Sequence, residues 1–368
     1  MRSKTYPLYQ PFQSRNLKSY VEDCIDSGWI SSIGKYVEKF ENSFIEYTKL
    51  KYAISVNNGT SALELALKSI ELKKGDEVIV PAYTYVATAN AVVNAGGEVV
   101  LADCEEKHFS LDINKVQGLI TKKTKAIILV HIYGLPVKDY ESYRDLCNKN
   151  KIYLIEDAAE ALGSFYRGSH IGYIGDVTTF SFYGNKTVTT GEGGMVATNI
   201  PELASKARKI RNQGMTNVQY YHDVVGSNYR MTNIQAAIGY SQMEQIHEII
   251  ENKDRVFEQY KQNLICSDIS LFASNNDDKF YKSSYWMICL SFKSKKIKST
   301  VEKSLKEKNI DTRPGFHPLH LMPMYKNNTS TFQCSESLYE KVLLMPSYPD
   351  LKNKDIDLIC SIVLDAIN

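Results

Sequence analysis

Short and nearly uninterrupted apolar runs recur through the first two-thirds of the chain. They fall at residues 51–56, 77–80, 97–102, 125–132, 151–155, 176–182 and 194–198. Runs of this length that lack polar alternation predict strands buried on both faces, as in a mostly parallel sheet covered by helices. Between the first two, residues 61–70 carry Leu63, Ala66, Leu67 and Ile70 at helical spacing, and Pro81 ends the second strand. Beyond about Tyr240 the texture changes. Residues 243–264 predict one long helix, 274–279 a polar loop, 284–292 a strand, 299–308 a helix and 355–366 a closing helix. The expected organisation is a large α/β domain over 1–240 and a smaller α+β domain over 241–368. There is no internal repeat.

Composition narrows the function classes. The chain has 368 residues, with 43% hydrophobic and 23% charged, ordinary for a soluble globular protein of about two domains. A net charge of +2 gives no electrostatic case for nucleic acid or an anionic membrane. The longest apolar stretch, around 126–130, is far short of the roughly 20 residues a membrane span needs, so no membrane insertion is expected. Met1-Arg2-Ser3-Lys4-Thr5-Tyr6 lacks the apolar core of a signal peptide. Seven scattered cysteines, none in a C-x-x-C pair, suggest neither a disulfide framework nor a zinc site, but a reduced, cytoplasmic protein with no metal. Asn58-Gly59-Thr60 and Asn327-Asn328-Thr329 match the glycosylation pattern, read as accidental without a secretion signal.

The candidate chemistry centres on Lys186. The run Thr179-Phe180-Ser181-Phe182-Tyr183-Gly184-Asn185-Lys186 ends a strand in a glycine turn, and Gly191-Glu192-Gly193-Gly194 leads into the next. A lysine so presented can form an imine with a carbonyl, as in pyridoxal-phosphate enzymes; alone, such a lysine is more often a solvated loop residue. Val56-Asn57-Asn58-Gly59-Thr60-Ser61 is a strand, a turn and a helix start, with capping-box spacing between Ser61 and Glu64. It is either a plain N-cap or a phosphate site built on the helix N-terminus, to which Ser181 adds a hydroxyl. Glu156-Asp157 puts two acids at the end of an apolar strand. There Asp157 either caps the next helix or pairs with a pyridine nitrogen and keeps it protonated. Two aromatics, Tyr83 and Tyr85, follow Pro81, and either could stack on a ring.

Together, Asn58-Gly59-Thr60, Glu156-Asp157-Ala158-Ala159, Gly175-Asp176, Ser181-Phe182, Lys186 and Gly191-Glu192-Gly193-Gly194 resemble the DegT/DnrJ/EryC1/StrS family over nearly the whole chain. These are pyridoxal-phosphate-dependent nucleotide-sugar aminotransferases of fold type I, the aspartate-aminotransferase-like fold. The resemblance implies that Lys186 attaches the cofactor, Asp157 pairs with its ring nitrogen and Tyr85 stacks on it. Gly59, Thr60 and Ser181 would hold the phosphate. Asn228 would reach the phosphate of the neighbouring subunit, so that a homodimer shares its active sites. Glu160, beside the ring hydroxyl, stands where relatives often carry glutamine or histidine.

The family's sugar 3-aminotransferases usually show a Pro-Gly-Lys-Asn-Leu-Gly pattern that is absent here, and its dehydratases replace the lysine with histidine. The segments around Lys186, 221–226 and 312–325 are similar to the branch that aminates C4 of GDP-4-keto-6-deoxymannose for surface polysaccharide, with L-glutamate as donor. UDP- or dTDP-linked keto sugars, another sugar aldehyde and a non-enzymatic cofactor-binding regulator are the alternatives. Candidate substrate contacts are Trp29, Ser31, Arg313 and His317, with His320 three residues beyond the last, and Ser32 beside Ser31.

Overall fold

The computed structural model of the chain describes residues 4–106, 108–272, 280–326 and 331–367. The polar stretch at 274–279, the Asn327-Asn328-Thr329 triplet and the first three residues lie outside the described residues.

The apolar runs become β1 (Tyr52–Val56), β2 (Glu77–Pro81), β3 (Glu98–Ala102), β4 (Thr124–Val130) and β5 (Tyr153–Asp157). Two short strands follow, β6 (Phe165–Tyr166) and β7 (Ser169–His170), and then β8 (Val177–Ser181) and β9 (Gly194–Thr198). Seven of these strands form one sheet in the order β1-β9-β8-β5-β4-β2-β3. Neighbours run parallel except at β9, which is antiparallel to both β8 and β1. The helices Gly59–Ser69, Ala87–Asn94, Ile113–Leu119 and Tyr140–Asn150 connect successive strands from β1 to β5. This brings the carboxyl ends of β1, β2, β4, β5 and β8 to one edge of the sheet, where open α/β sheets bind ligands.

β6 pairs with β7 on one side and with β11 (Tyr281–Lys282) on the other in a small three-stranded sheet. A third, antiparallel sheet runs β10-β12-β14-β13, made of β10 (Ile269–Phe272), β12 (Ile288–Phe292), β13 (Arg313–Pro314) and β14 (Val342–Met345). Strand alternation divides β12 between two cores. Ile288, Leu290 and Phe292 pack with the helices Ile246–Asn263, Lys295–Glu307 and Asn353–Asp365, while Cys289 joins the core built around β2 and the helix Gly59–Ser69. The N-terminal segment belongs to the same assembly: Tyr6 bridges to Ile310, and Ser347 donates its N–H to the Leu8 carbonyl at 3.1 Å.

Two expectations change. The helix expected over 243–264 runs Ile246–Asn263, starting three residues late, and Met243 instead ends a separate helix, Asn233–Met243. The residues between them are tied to the N-terminal segment: Gln245 Oε1 accepts from the Arg15 N–H at 2.7 Å, and Glu244 accepts from the Tyr20 hydroxyl at 2.9 Å. The strand expected from 284 begins only at Ile288. Before it, Ser283 and Ser284 donate to the carbonyls of Gly134 and Glu160. Among the described residues no helix is long and apolar enough to cross a membrane.

One buried histidine gives this fold a pH signature. In His170, Nε2 accepts the Gly163 N–H at 2.9 Å, so the proton sits on Nδ1, 2.7 Å from the Ile171 carbonyl. A second proton would meet that amide head-on, and burial pushes the pKa down to about 4. The unfolded chain protonates this ring near its ordinary value of about 6.5, so the folded state loses stability as pH falls from there to about 4. The expected loss is about 3 kcal/mol, and His170→Gln removes that part of the slope. Urea unfolding of both proteins across this range is the measurement; equal slopes would refute it.

Candidate active site

Adjacent residues of a strand face opposite sides of its sheet, and the two acids that end β5 are separated in this way. Glu156 is fully buried on the side of the helix Tyr140–Asn150. There it accepts from Tyr140 Oη, from Gly172 N–H at 2.8 Å and from Gly175 N–H at 2.5 Å, and it lies 3.0 Å from His131 Nε2. This network holds the loop between β5 and β8. Of the pair singled out in the sequence, only Asp157 faces the edge where the strand ends converge.

Asp157 is also buried, and its nearest donors are neutral: Thr88 Oγ1 at 2.8 Å on Oδ2 and Ala159 N–H at 3.2 Å on Oδ1. Burial raises its pKa, opposed by these hydrogen bonds and by Lys186. Three residues on, Glu160 is likewise raised by burial. Its Oε2 accepts the Tyr133 N–H at 2.7 Å, and its Oε1 lies 3.4 Å from Lys186 Nζ. Lys186 follows β8 and is mostly buried; desolvation lowers its pKa, while Glu160 and Asp157 pull it up and Arg313 pushes it down. The Lys186 carbonyl accepts from Tyr9 Oη at 2.8 Å. The face of the Trp286 ring lies beneath its amine, with the centroid 4.0 Å away.

The helix after β1 begins three residues earlier than its capping-box spacing implied. Asn58 is the N-cap, its side chain accepting the Ser61 N–H at 2.8 Å, and Glu64 reaches outward to Asn94 and Tyr229. Gly59 and Thr60 are therefore first-turn residues, whose N–H groups have no partner within their own helix. Gly59 lies so close to Ser181 that a Cβ would meet Ser181 Cβ at 2.8 Å and Oγ at 3.0 Å. Three anion-binding groups are thus gathered between β1 and β8.

The remaining candidates are more dispersed. Tyr85 is exposed after β2, its ring 6.1 Å from Phe316. Arg313 and His317 are exposed, and the His317 ring lies 4.7 Å from Tyr339. His320, expected beside it, is instead buried against Phe332 with Nε2 3.0 Å from Glu336, so it does not line an open pocket. Trp29 is exposed, and the carbonyls of Trp29 and Ser31 accept from Asn233 at 2.6 Å each. Asn228 is exposed and bridges to Asn212. None of these three has a hydrogen bond to the Lys186 cluster among the described residues. Thr88, Tyr133, Tyr9 and Trp286 escaped the sequence reading. The first three act through a hydroxyl or a backbone N–H, and Trp286 sits in a run that reads as apolar strand.

Two buried carboxyls face one amine here, and Asp157 touches no cation of its own. A protonated pyridine nitrogen would supply the missing charge, and the gathered amides and hydroxyl suit the phosphate of the same molecule. The residues present therefore fit pyridoxal phosphate, and the class they define is the pyridoxal-phosphate-dependent enzymes. The chain belongs to the DegT/DnrJ/EryC1/StrS aminotransferase family, whose pattern it matches over residues 12–364. It is 42% identical to GDP-perosamine synthase of Escherichia coli O157:H7, covering 97% of each chain. It is 41% identical to GDP-perosamine synthase of Vibrio cholerae, covering 98% of this chain and 99% of the other. Among solved structures it resembles Helicobacter pylori PseC, an aminotransferase involved in pseudoaminic acid biosynthesis, with a TM-score of 0.92, 26% identity and 99% of each chain covered. The PLP-form of the putative sugar aminotransferase Spr1654 from Streptococcus pneumoniae also gives a TM-score of 0.92 at 26% identity, covering 99% of this chain and 100% of that one.

The separation of the two acids is testable. Glu156→Ala leaves His131 and two amides without their acceptor and should cost about 3–5 kcal/mol of stability, the usual loss when a buried charged partner is removed. Asp157→Asn, which leaves that network intact, should cost far less. Urea unfolding distinguishes the two, and equal losses would refute the division of roles.

Proposed function

We propose that the chain is a 4-aminotransferase that moves the amino group of L-glutamate to the 4-keto carbon of GDP-4-keto-6-deoxymannose, giving GDP-perosamine for O-antigen synthesis. The observation that carries this reading is the buried amine of Lys186 set against Glu160 and Asp157 where the parallel strands end. The substrate assignment is supported by relatives more than 40% identical over almost their whole length that bear the GDP-perosamine synthase name. The seven cysteines, all free, suit a reducing, cytoplasmic compartment.

In this reading Lys186 attaches the cofactor, Gly59, Thr60 and Ser181 hold its phosphate, Tyr85 stacks on its ring and Glu160 stands at the ring hydroxyl. Pyridoxal phosphate supplies an aldehyde that takes up amines and a ring that accepts the electron pair left when a proton leaves carbon. Asp157 stabilises the proton on the ring nitrogen and thereby keeps the ring electron-poor. Lys186 Nζ, once free, takes the proton from Cα of glutamate and later delivers one to C4 of the sugar. General acid–base catalysis needs such a group near the working pH, and burial pushes this amine toward it. Arg313, exposed near the site, offers a bidentate cation to a substrate diphosphate or to the glutamate carboxylate. Trp29, Ser31 and His317 are assigned to substrate contact.

The functional unit in this reading is a homodimer in which Asn228 completes the phosphate site of the partner. Its segment carries Val218, Tyr220, Tyr221, Val224 and Val225 exposed, an apolar surface suited to burial against a second chain.

Lys186→Ala should fold as the parent does and lose at least about 10⁴-fold in turnover, the upper end of what acid–base catalysis contributes. Added L-glutamate should convert the cofactor spectrum to the amine form. Mass spectrometry across a panel of GDP-, UDP- and dTDP-linked keto sugars should show amination of the GDP-linked 4-keto sugar first; preference for another base would overturn the assignment. For the shared site, Lys186→Ala and Asn228→Ala chains should each be weak or inactive, and unfolding and refolding them together should restore part of the activity. No recovery in the mixture would mean that each chain carries a complete site.

A further inference from the structure

The Lys186 amine is held between groups from distant parts of the fold. Glu160 Oε1 lies 3.4 Å away, and the Trp286 ring centroid lies 4.0 Å away. Trp286 is only 2% exposed. Its indole N–H donates at 2.6 Å to the carbonyl of Asn185, the residue before Lys186. Its own carbonyl accepts from the buried Lys253 amine at 2.8 Å and from Ser347 Oγ at 3.1 Å. The ring is therefore fixed at both ends, with its face toward a cation. An aromatic face attracts an ammonium, indole most strongly, and more so where water is excluded.

We propose that Trp286 is a positioning residue for the Lys186 amine, its indole face holding the ammonium whenever the amine is free of the cofactor. This rests on the reading of Lys186 as the lysine that attaches the cofactor. A free lysine chain loses its place by rotating about four bonds. The Tyr9 hydroxyl holds the backbone of Lys186 at its carbonyl, and the indole face with Glu160 holds the other end. The amine consequently stays within reach of the reacting carbon and keeps part of its charge. Burial alone would drive the amine toward the neutral form, and Glu160 and Asp157 oppose that drift. The indole acts in the same direction as the carboxylates without adding a negative charge near the ring.

The test uses the full-length enzyme stripped of cofactor, mixed with pyridoxal phosphate at a series of pH values, and follows the absorbance that appears on capture. Only the neutral amine captures the aldehyde, so the midpoint of the rate against pH reports the ionisation of Lys186. Trp286→Leu should move that midpoint down by about one pH unit, the size expected for loss of a desolvated cation–π contact. Trp286→Phe, which keeps a weaker aromatic face, should move it down by less. A role confined to packing would slow capture without moving the midpoint. Midpoints unchanged in both variants therefore overturn the proposal. Where Trp286→Leu does not fold, Trp286→Phe carries the test, a downward shift supporting the proposal and an unmoved midpoint overturning it. Borohydride trapping and peptide mapping separate the two readings. A wild-type tag on a residue other than Lys186 sinks the functional assignment and this inference together. A tag on Lys186 with unmoved midpoints sinks this inference alone.

Discussion

Two carboxyls and one amine share a space from which water is largely excluded, and the rest of the site answers to that constraint. Asp157 and Glu160 are raised by burial, and Lys186 is lowered by it. Charged groups so placed persist only when hydrogen-bonded or paired. Glu160 has Lys186 and the Tyr133 amide, whereas Asp157 has a threonine hydroxyl and one amide. A protonated ring nitrogen would make good that shortfall, so a lone acid among neutral donors would suit the cofactor better than an acid already paired.

Glu156 shows the opposite solution one residue earlier. Its carboxylate is surrounded by Tyr140, two glycine amides and His131, so its acceptor capacity is used within the protein. The glycines are required there: a Cβ on Gly175 would meet Glu156 Oε1 at 2.6 Å. The loop wrapped around this carboxylate leads into β8, and so toward Lys186. One acid therefore holds a loop in place while its neighbour is left available for chemistry.

The C-terminal part of the chain closes over the site more than it extends it. Ser283 and Ser284 bind carbonyls of the large-sheet unit, Trp286 lies under Lys186, and Lys253 with Ser347 grips Trp286 from behind. Tyr9 adds a tie from the N-terminal segment. The lysine is thereby fixed by three stretches of chain far apart in sequence, which suits the role proposed for its amine.

The large sheet and much of the site were legible in the sequence because their signals are local. A strand buried on both faces is apolar along its length, a glycine turn marks where it ends, and Asp157 ends such a strand while Gly59 and Lys186 lie in the turns just beyond one. The break after Met243 and the late start of β12 were not legible. The first depends on ties from Arg15 and Tyr20, the second on carbonyls of Gly134 and Glu160. The sequence by itself pointed to the residues proposed to carry the chemistry and determined that Glu156 and Asp157 must face apart. Only the tertiary structure decided which of those faces meets the site, since that depends on whether Thr88 or Tyr140 packs there. It also brought Thr88 to Asp157 across 69 residues and the Trp286 indole to the Asn185 carbonyl across 101. Contacts over such distances leave no periodic trace in the chain, because only the packing of whole elements brings their ends together.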